Sequence, residues 1–221
     1  GSYALAYLAT AINNTAFGRS ALGGAAVTGN NNTGAGYFAL KELTSGADNT
    51  AVGTNAGDSI TTGSYNNAFG KEALSACTTG THNTGIGYQA AISLTTAQDC
   101  VFIGRQAGYG VTTGNYNIAI GNESMMGTVT GTHNVCVGRD SLRAITSGNY
   151  NIALGNDTNR TCATAHNTIA IGHRALYSNT VGNVVAIGYK ACEESTTGGQ
   201  KVAIGYEALR FATTGTGNTA V

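Results

Sequence analysis

The sequence predicts an all-β protein, a parallel β-solenoid of 13 coils of about 17 residues each. Three observations lead to this prediction: a short motif recurs at a fixed spacing, each copy holds a β-prone run, and glycines separate the copies. The motif is clearest at Asn117–Gly121, which reads Asn-Ile-Ala-Ile-Gly, and similar runs stand at Asn49–Gly53 and Asn151–Gly155. Such a fixed period is typical of stacked repeats, each of which is too short to bury its own apolar face.

Glycines mark the repeat, and we number each repeat from its glycine as position 1. The step between them is about 17 residues, with one step longer and one step shorter by a single residue. The anchoring glycines are Gly1, Gly18, Gly36, Gly53, Gly70, Gly87, Gly104, Gly121, Gly138, Gly155, Gly172, Gly188 and Gly205. Because an array of this kind has no internal boundary, we expect residues 1–221 to be a single repeat array from a longer fibre.

The β-prone run occupies positions 14 to 17 of each repeat. It reads Asn, then Thr or an aliphatic residue, then Ala or Gly, and then Ile, Val or Phe, so that its side chains alternate between two faces. We expect the large residue at position 17, such as Val52 or Ile120, to point into the core. The small residue at position 16 would then lie on the opposite face, where a neighbouring chain can approach closely. This second face predicts a homotrimer.

The rest of the repeat predicts turns and further core residues. Apolar residues recur at positions 5 and 8, as at Leu74 and Ile60. Positions 9 to 11 read Thr-Thr-Gly, as at Thr61–Gly63, and the glycine is expected to supply a positive φ for the turn. Each coil would hold two short strands and two glycine corners. No helical period separates the strands, which excludes a β-α solenoid.

Asparagine recurs at position 14, directly before the strand. Stacked coils would place these side chains roughly 4.8 Å apart, close enough for their amides to bond one another as a ladder. The members of this asparagine column are Asn14, Asn32, Asn49, Asn66, Asn83, Asn117, Asn134, Asn151 and Asn218.

Composition excludes several classes of function. The chain has 11 basic and 11 acidic residues and no basic patch, so nucleic acid is not an expected partner. No apolar stretch approaches the roughly 18 residues of a membrane span, so membrane insertion is not expected. The five cysteines show no zinc-binding spacing, and three or four of them stand where other repeats carry Leu, Ile or Ala. Unpaired thiols favour assembly in a reducing compartment.

No arrangement of residues predicts an enzyme, a metal site or a cofactor. The four histidines, His82, His133, His166 and His173, do not cluster in the sequence. Acidic residues at position 3, such as Glu72 and Glu123, share their column with Lys190 and Arg174, which is typical of a solvated edge rather than an acid pair. The glycine-rich strings lack the lysine and the strand-to-helix setting of a phosphate loop.

Two families of fibrous proteins have similar repeats. The pattern Asn-x-Val/Ile-Ala-Ile-Gly in residues 167–172 and 183–188 resembles the head repeat of trimeric autotransporter adhesins. The fuller unit, with Tyr-x-Ala-Leu after the glycine, is similar to repeats of phage tail fibre and tail spike proteins, most clearly in residues 83–90 and 201–209. The resemblance implies a left-handed β-roll in a homotrimeric fibre, located on the virion or at the cell surface. The free cysteines favour the phage type, which folds in the host cytoplasm.

A candidate binding surface follows from position 13, just before the strand. It carries Tyr65, His82, Tyr116, His133 and Tyr150, which we expect to lie above one another along an outer edge. Their flat rings and polar tips suit a cell-surface glycan or a protein receptor. The alternative is that the rings only stack on one another and cover the coil edge.

A different class of function is suggested by the threonines at position 10, whose regular hydroxyl and methyl groups could order water on an ice-binding surface. They are Thr62, Thr79, Thr96, Thr113, Thr130, Thr164, Thr197 and Thr214. The glycine that follows most of them predicts a turn, whereas an ice-binding face is expected on a flat strand.

Overall fold

The computed structural model describes residues 2–5, 10–24 and 26–221, so Gly1 lies outside the described residues. The chain divides into two compact units, Gly1–Thr113 and Gly114–Val221. Each unit is an all-β parallel solenoid with one strand per coil, and the described residues contain no helix. The predicted fold class and the predicted repeat period are therefore confirmed.

All strands are short and fall where the motif predicts them. The first unit contains β1 (Thr15–Phe17), β2 (Thr33–Ala35), β3 (Thr50–Val52), β4 (Asn67–Phe69), β5 (Thr84–Ile86) and β6 (Val101–Ile103). The second unit contains β7 (Ile118–Ile120), β8 (Val135–Val137), β9 (Ile152–Leu154), β10 (Ile169–Ile171), β11 (Val184–Ile187), β12 (Lys201–Ile204) and β13 (Thr219–Ala220).

Within each unit, every strand pairs in parallel with the next one along the chain. The register matches equal positions of the repeat: Ala51 pairs with Ala68 in the first unit, and Ala153 with Ala170 in the second. Residues at one position therefore form a column whose members are about 4.8 Å apart, the spacing of neighbouring strands. These columns, rather than individual residues, are the structural units of the surface and the core.

The core is built from the middle of each strand and from the far side of the coil. The alanines at position 16, such as Ala68 and Ala153, are fully buried, and we call this the inner column. It packs against the leucine column at position 5, which includes Leu74 and Leu176, also fully buried. The apolar residues at position 8, such as Ile60 and Ile145, complete the interior.

The inner and leucine columns compensate each other in volume. Most coils combine a small inner residue with a large one six positions later, as Ala68 does with Leu74. One coil reverses the order, since the fully buried Phe102 is followed by Gly108. A Cβ atom added to Gly108 would lie only 2.1 Å from the Cδ1 of Phe102. The ring occupies the space that a leucine fills elsewhere.

One detail of the predicted coil is wrong, and a second holds only in the last two coils. The described coils contain one strand rather than two, because the residues after the anchoring glycine form successive turns. The glycine of Thr-Thr-Gly supplies the expected positive φ at Gly198 and Gly215, with φ of 70° and 53°, but not at Gly63, where a Cβ would lie 2.3 Å from the carbonyl oxygen of Gly80 in the next coil. Close stacking of the coils, not chain reversal, therefore requires glycine at this position.

Non-glycine residues in the left-handed conformation recur three times per coil, at positions 3, 5 and 13. In one coil they are Glu72, Leu74 and His82, with φ between 51° and 60°. This conformation costs roughly 1 kcal/mol or more per residue, and each of the three backbone N–H groups bonds a carbonyl of a neighbouring coil, at 2.9 to 3.0 Å. No Val, Ile or Thr among the described residues adopts it, because branching at Cβ makes it costlier still.

The predicted asparagine ladder is confirmed in both units. Asn66 is fully buried, and its Nδ2 donates to Asn49 Oδ1 at 3.1 Å and to the carbonyl of Gly80 at 2.8 Å. Asn134 makes the equivalent bonds to Asn117 and to Gly148 in the second unit. Each Oδ1 also accepts the backbone N–H of the next asparagine, as from Asn83 at 3.1 Å. Every rung thus ties a coil to both of its neighbours.

Candidate binding surface

The outward-facing side of the sheet is the candidate surface, because the described residues enclose no cavity. In β9, Ala153 at the centre is fully buried, whereas Ile152 before it is 38% exposed. The same pattern recurs along the sheet, so positions 15 and 17 form two outer strand columns. Position 13 forms a corner column before the strand, and position 2 forms a flanking column after it. Together these four columns make the outer face.

The side chains at positions 16 and 17 therefore face opposite to what the sequence predicted. Position 17 was expected in the core, but Val52, Ile86 and Val137 are 37 to 40% exposed, and Ile120 is only half-buried. The small residue at position 16 faces inward instead. The reason is the thickness of the coil: a Cβ on Gly85 in the inner column would lie 2.9 Å from Leu74, so the interior has no room for a larger residue there.

The corner column brings the predicted binding residues together within each unit. In the first unit the rings of Tyr65 and His82 stack with centroids 4.7 Å apart. In the second unit His133 lies between Tyr116 and Tyr150, with centroid distances of 4.8 and 4.9 Å. All five residues are exposed, and all have φ between 57° and 59°. The left-handed backbone turns each ring outward beside the ring of the next coil.

Stacking determines which part of each ring a ligand can reach. At these distances a ring in the column shares its face with the neighbouring ring, which leaves its edge and its polar tip toward solvent. The Nδ1 of His133 also lies 3.0 Å from the hydroxyl of Thr132. The geometry therefore favours hydrogen bonding by the tyrosine hydroxyls over face-to-face contact with a sugar. A binding role for this column stays a prediction.

A second aromatic column lies on the opposite side of the strands and was missed by the sequence analysis. In the flanking column of the second unit, Tyr189 stacks with His173 at 5.7 Å and with Tyr206 at 5.1 Å. The recurrence of tyrosine directly after the anchoring glycine, also at Tyr37 and Tyr88, was the available signal. The outer strand columns thus run between two rows of rings.

The outer strand columns differ in chemistry between the units. In the first unit position 15 carries Thr33, Thr50, Asn67 and Thr84, followed by Val101 in β6. In the second unit the same position carries only Val or Ile from Ile118 to Val202. Position 17 is aliphatic or aromatic in nearly every coil. The outer face is therefore mixed in the first unit and continuously aliphatic in β7–β12 of the second.

Ionisable groups lie along the edge formed by positions 3 and 6. Glu193 is almost completely buried and accepts ion pairs from Arg174 and Arg210, both at 2.7 Å. In the first unit Gln89 donates to Glu72 at 2.7 Å, and Gln106 donates to Gln89 at 2.9 Å. These ion pairs and amide hydrogen bonds hold neighbouring coils together. No group of three or more His, Cys, Asp or Glu suited to a metal occurs among the described residues.

Lys201 replaces asparagine in the ladder position and is fully buried. Its ammonium donates to the Ser195 hydroxyl at 3.0 Å and to the carbonyls of Thr197 at 3.0 Å and Ala212 at 2.6 Å. Burial lowers the pKa of this ammonium below its usual range. All three acceptors are neutral backbone or hydroxyl groups, so Lys201 acts as a cross-link between coils.

All five cysteines are buried, and none of them forms a disulfide. Burial raises the pKa of Cys77 to about 12 and that of Cys162 to about 11, and it also raises the pKa of Cys136. A nucleophilic cysteine needs the opposite shift and access to solvent. The thiols of Cys77 and Cys162 at position 8 fill space in the core, as their position in the repeat predicts, whereas Cys100 stands at the ladder position and its backbone N–H donates to Asn83 Oδ1.

The threonines at position 10 are exposed in both units but lie outside the strands, on the bends of the coil. They form a single row on a corner rather than a flat two-dimensional array. An ice-binding function stays a prediction without further support from this geometry.

No helix in the described part of the chain has the length and apolarity needed to cross a membrane. Comparison of the chain with protein-family models, curated proteins and solved structures gives no match.

Proposed function

We propose that this chain is a structural segment of a homotrimeric, phage-type tail fibre, which serves as a rigid shaft and contacts the host surface through the corner column. The fibre would be part of the virion. The proposal combines the resemblance of the repeat with the internal bonding of the coils.

The observation that carries the proposal is the unbroken coupling of one coil to the next within each unit. Parallel strand pairing, buried amide bonds such as Asn134 to Asn117, and ion pairs such as Arg210 to Glu193 all join neighbouring coils. Bending the stack of coils would stretch all of these bonds at the same time. A segment built in this way suits transmission of force, whereas it offers no cavity for a small substrate among the described residues.

A bacterial trimeric adhesin head that binds host or matrix surfaces is the second candidate. The exposed aliphatic residues of the outer face, such as Ile152 and Val137, support a trimer of either kind. The five buried cysteines, none of which forms a disulfide, favour the phage type, because an exported adhesin passes through an oxidising compartment.

Native mass and electron microscopy test the proposal. Sedimentation equilibrium should give three times the chain mass of 22.3 kDa, and negative-stain images should show uniform elongated particles. A mass of one chain at micromolar concentration would contradict the homotrimer, and flexible or irregular particles would contradict the shaft.

A further inference from the structure

We infer that copies of this chain associate through the outer face of the second unit, whereas the same face of the first unit stays in contact with water. The inference rests on the homo-oligomer proposed above and adds the surface through which the copies meet. It follows from the chemistry of the two outer strand columns, compared between the units.

The outer face of the second unit is a continuous aliphatic strip. Strands β7 to β12 place one Val or Ile at position 15 and one Ile, Val or Leu at position 17. The strip consists of Ile118, Ile120, Val135, Val137, Ile152, Leu154, Ile169, Ile171, Val185, Ile187, Val202 and Ile204. None of these side chains is charged, and Val137, Ile152 and Ile204 are each 38 to 39% exposed. A contiguous apolar surface of this kind marks an interface rather than a surface that stays in water.

Amphipathic rings border one side of the strip along β7 to β9 and the other side along β10 to β12. Tyr116, His133 and Tyr150 stack along the corner column, and His173, Tyr189 and Tyr206 lie along the flanking column. An apolar centre with a polar, tyrosine-rich rim is the usual composition of a protein interface. The rings can cover the edge of the aliphatic contact while their polar tips remain hydrated.

The size of the face suits a second copy of the chain. Each of the six strands contributes four outward positions when the two rims are included. The face as a whole therefore falls within the range of about 20 to 30 residues per partner that stable interfaces contain. Equal spacing of the coils in every copy also lets two such strips align with their aliphatic rows in contact.

In the first unit only β6 carries this surface, with Val101 and Ile103, whereas the coils of β2 to β5 have the same fold but a polar position 15. Thr33, Thr50, Asn67 and Thr84 occupy position 15, and within the part that the structure describes no hydrogen bond involves their side-chain polar groups. Burying a hydroxyl or amide without a partner costs roughly 1 to 3 kcal/mol. Packing this face against another copy would dehydrate four such groups in succession. The face is therefore more stable in contact with water than in contact with a second copy.

One substitution made in each unit tests the inference. Ile152→Lys and Thr50→Lys introduce the same charge at the same position of the repeat, on the outside of the coil in both cases. We expect Ile152→Lys to raise the dissociation constant of the oligomer about 100-fold or more, because the charge is buried unpaired at the contact. Thr50→Lys should leave the mass unchanged in sedimentation equilibrium. Circular dichroism of both variants checks that the coils remain folded, and Ile152→Thr serves as a milder variant if Ile152→Lys does not fold.

The outcomes separate the inference from the proposed function. A wild-type chain of monomeric mass would overturn the homo-oligomer itself. A wild-type oligomer that both lysine variants leave intact would show that the copies meet elsewhere. Dissociation by both variants would show that the whole outer face is buried, and would equally overturn the inference.

Discussion

The middle residue of each strand occupies the narrowest part of the coil. Ala119 is fully buried there, and the larger Ile120 beside it points outward. Strict alternation along the strand predicts that these two residues have opposite environments, but it does not say which of them is inside. The ordinary preference for burying the larger residue gives the wrong answer, because the leucine column already fills the interior from the other side.

We expect Ala119→Asp to prevent folding of the second unit or to lower its free energy of unfolding by several kcal/mol, since the carboxylate would be buried without a partner. Ile120→Asp should change the unfolding of the dissociated chain by much less, because the side chain reaches solvent. Urea unfolding followed by circular dichroism compares the two. Equal losses would mean that position 17 is part of the core after all.

The buried thiols predict that the free energy of unfolding depends on pH in the alkaline range. The folded pKa values of Cys77 and Cys162, about 12 and about 11, lie above the ordinary value of 9.0. Above pH 9 the unfolded chain therefore loses thiol protons that the folded chain keeps. Stability from this source is complete below about pH 9 and is lost as the pH rises through the folded values.

The measurement is the free energy of unfolding at several pH values between 8 and 11, for the wild-type chain and for a Cys77→Ala, Cys162→Ala double variant. The wild-type value should fall more steeply with pH than that of the variant. Identical slopes would show that these thiols ionise equally well in the folded chain.

At the scale of elements, the strands and the asparagine ladder could be predicted from the sequence, and the left-handed turns could not. Period and alternation locate every strand within about one residue, and the recurrence of asparagine in one column indicates a repeated buried bond. The second predicted strand is wrong because local alternation of small and large residues also occurs in the turns around Ala73 and Leu74. The absence of β-branched residues at positions 3, 5 and 13 was the signal for those turns.

Because the inner and leucine columns compensate each other in volume, we expect substitutions at Phe102 and Gly108 to affect each other's stability. Phe102→Ala should cost about 3 to 5 kcal/mol through the cavity it leaves, and Gly108→Leu should be destabilising because its side chain would collide with the ring. The double variant recreates the pair Ala68 and Leu74, so it should be more stable than either single variant. Thermal unfolding of the four proteins gives the coupling energy, and additive losses would contradict compensation.

At the scale of the whole molecule, the two units share one fold and differ in what they offer at the surface. Columns make such specialisation possible, since a change repeated at one position alters a whole row and leaves the core unchanged. The corner column is the case that bears on attachment, because its rings are exposed in both units. Sequence analysis located this column but could not show that its ring faces are shared between neighbours.

We expect the triple variant Tyr116→Asn, His133→Asn, Tyr150→Asn to fold, because Asn167 and Asn183 already occupy this position with φ of 56° and 57°. If the column contacts the host, the variant should attach to cells at least about tenfold less well in a binding assay made at a concentration where its native mass equals that of the wild-type chain. As a control, Thr113→Asn and Thr164→Asn alter an exposed row outside the corner column. Full attachment by the triple variant, together with a lower melting temperature, would show that the rings only stabilise the coil edge.

The left-handed residues of the corner column also have a genetic consequence. Apart from Gln200 and a glycine in the last coil, the described members of this column are Asn, Asp, Tyr and His, the residues found at Asn31, Asp48, Tyr65 and His82. The codons of these four amino acids differ from one another only in their first base. One nucleotide change can therefore exchange an amide, a carboxylate, a phenol or an imidazole at the outer edge, and Asn, Asp and His are among the side chains that tolerate this backbone best. The column can change its surface chemistry by single mutations while the coil beneath it keeps its shape.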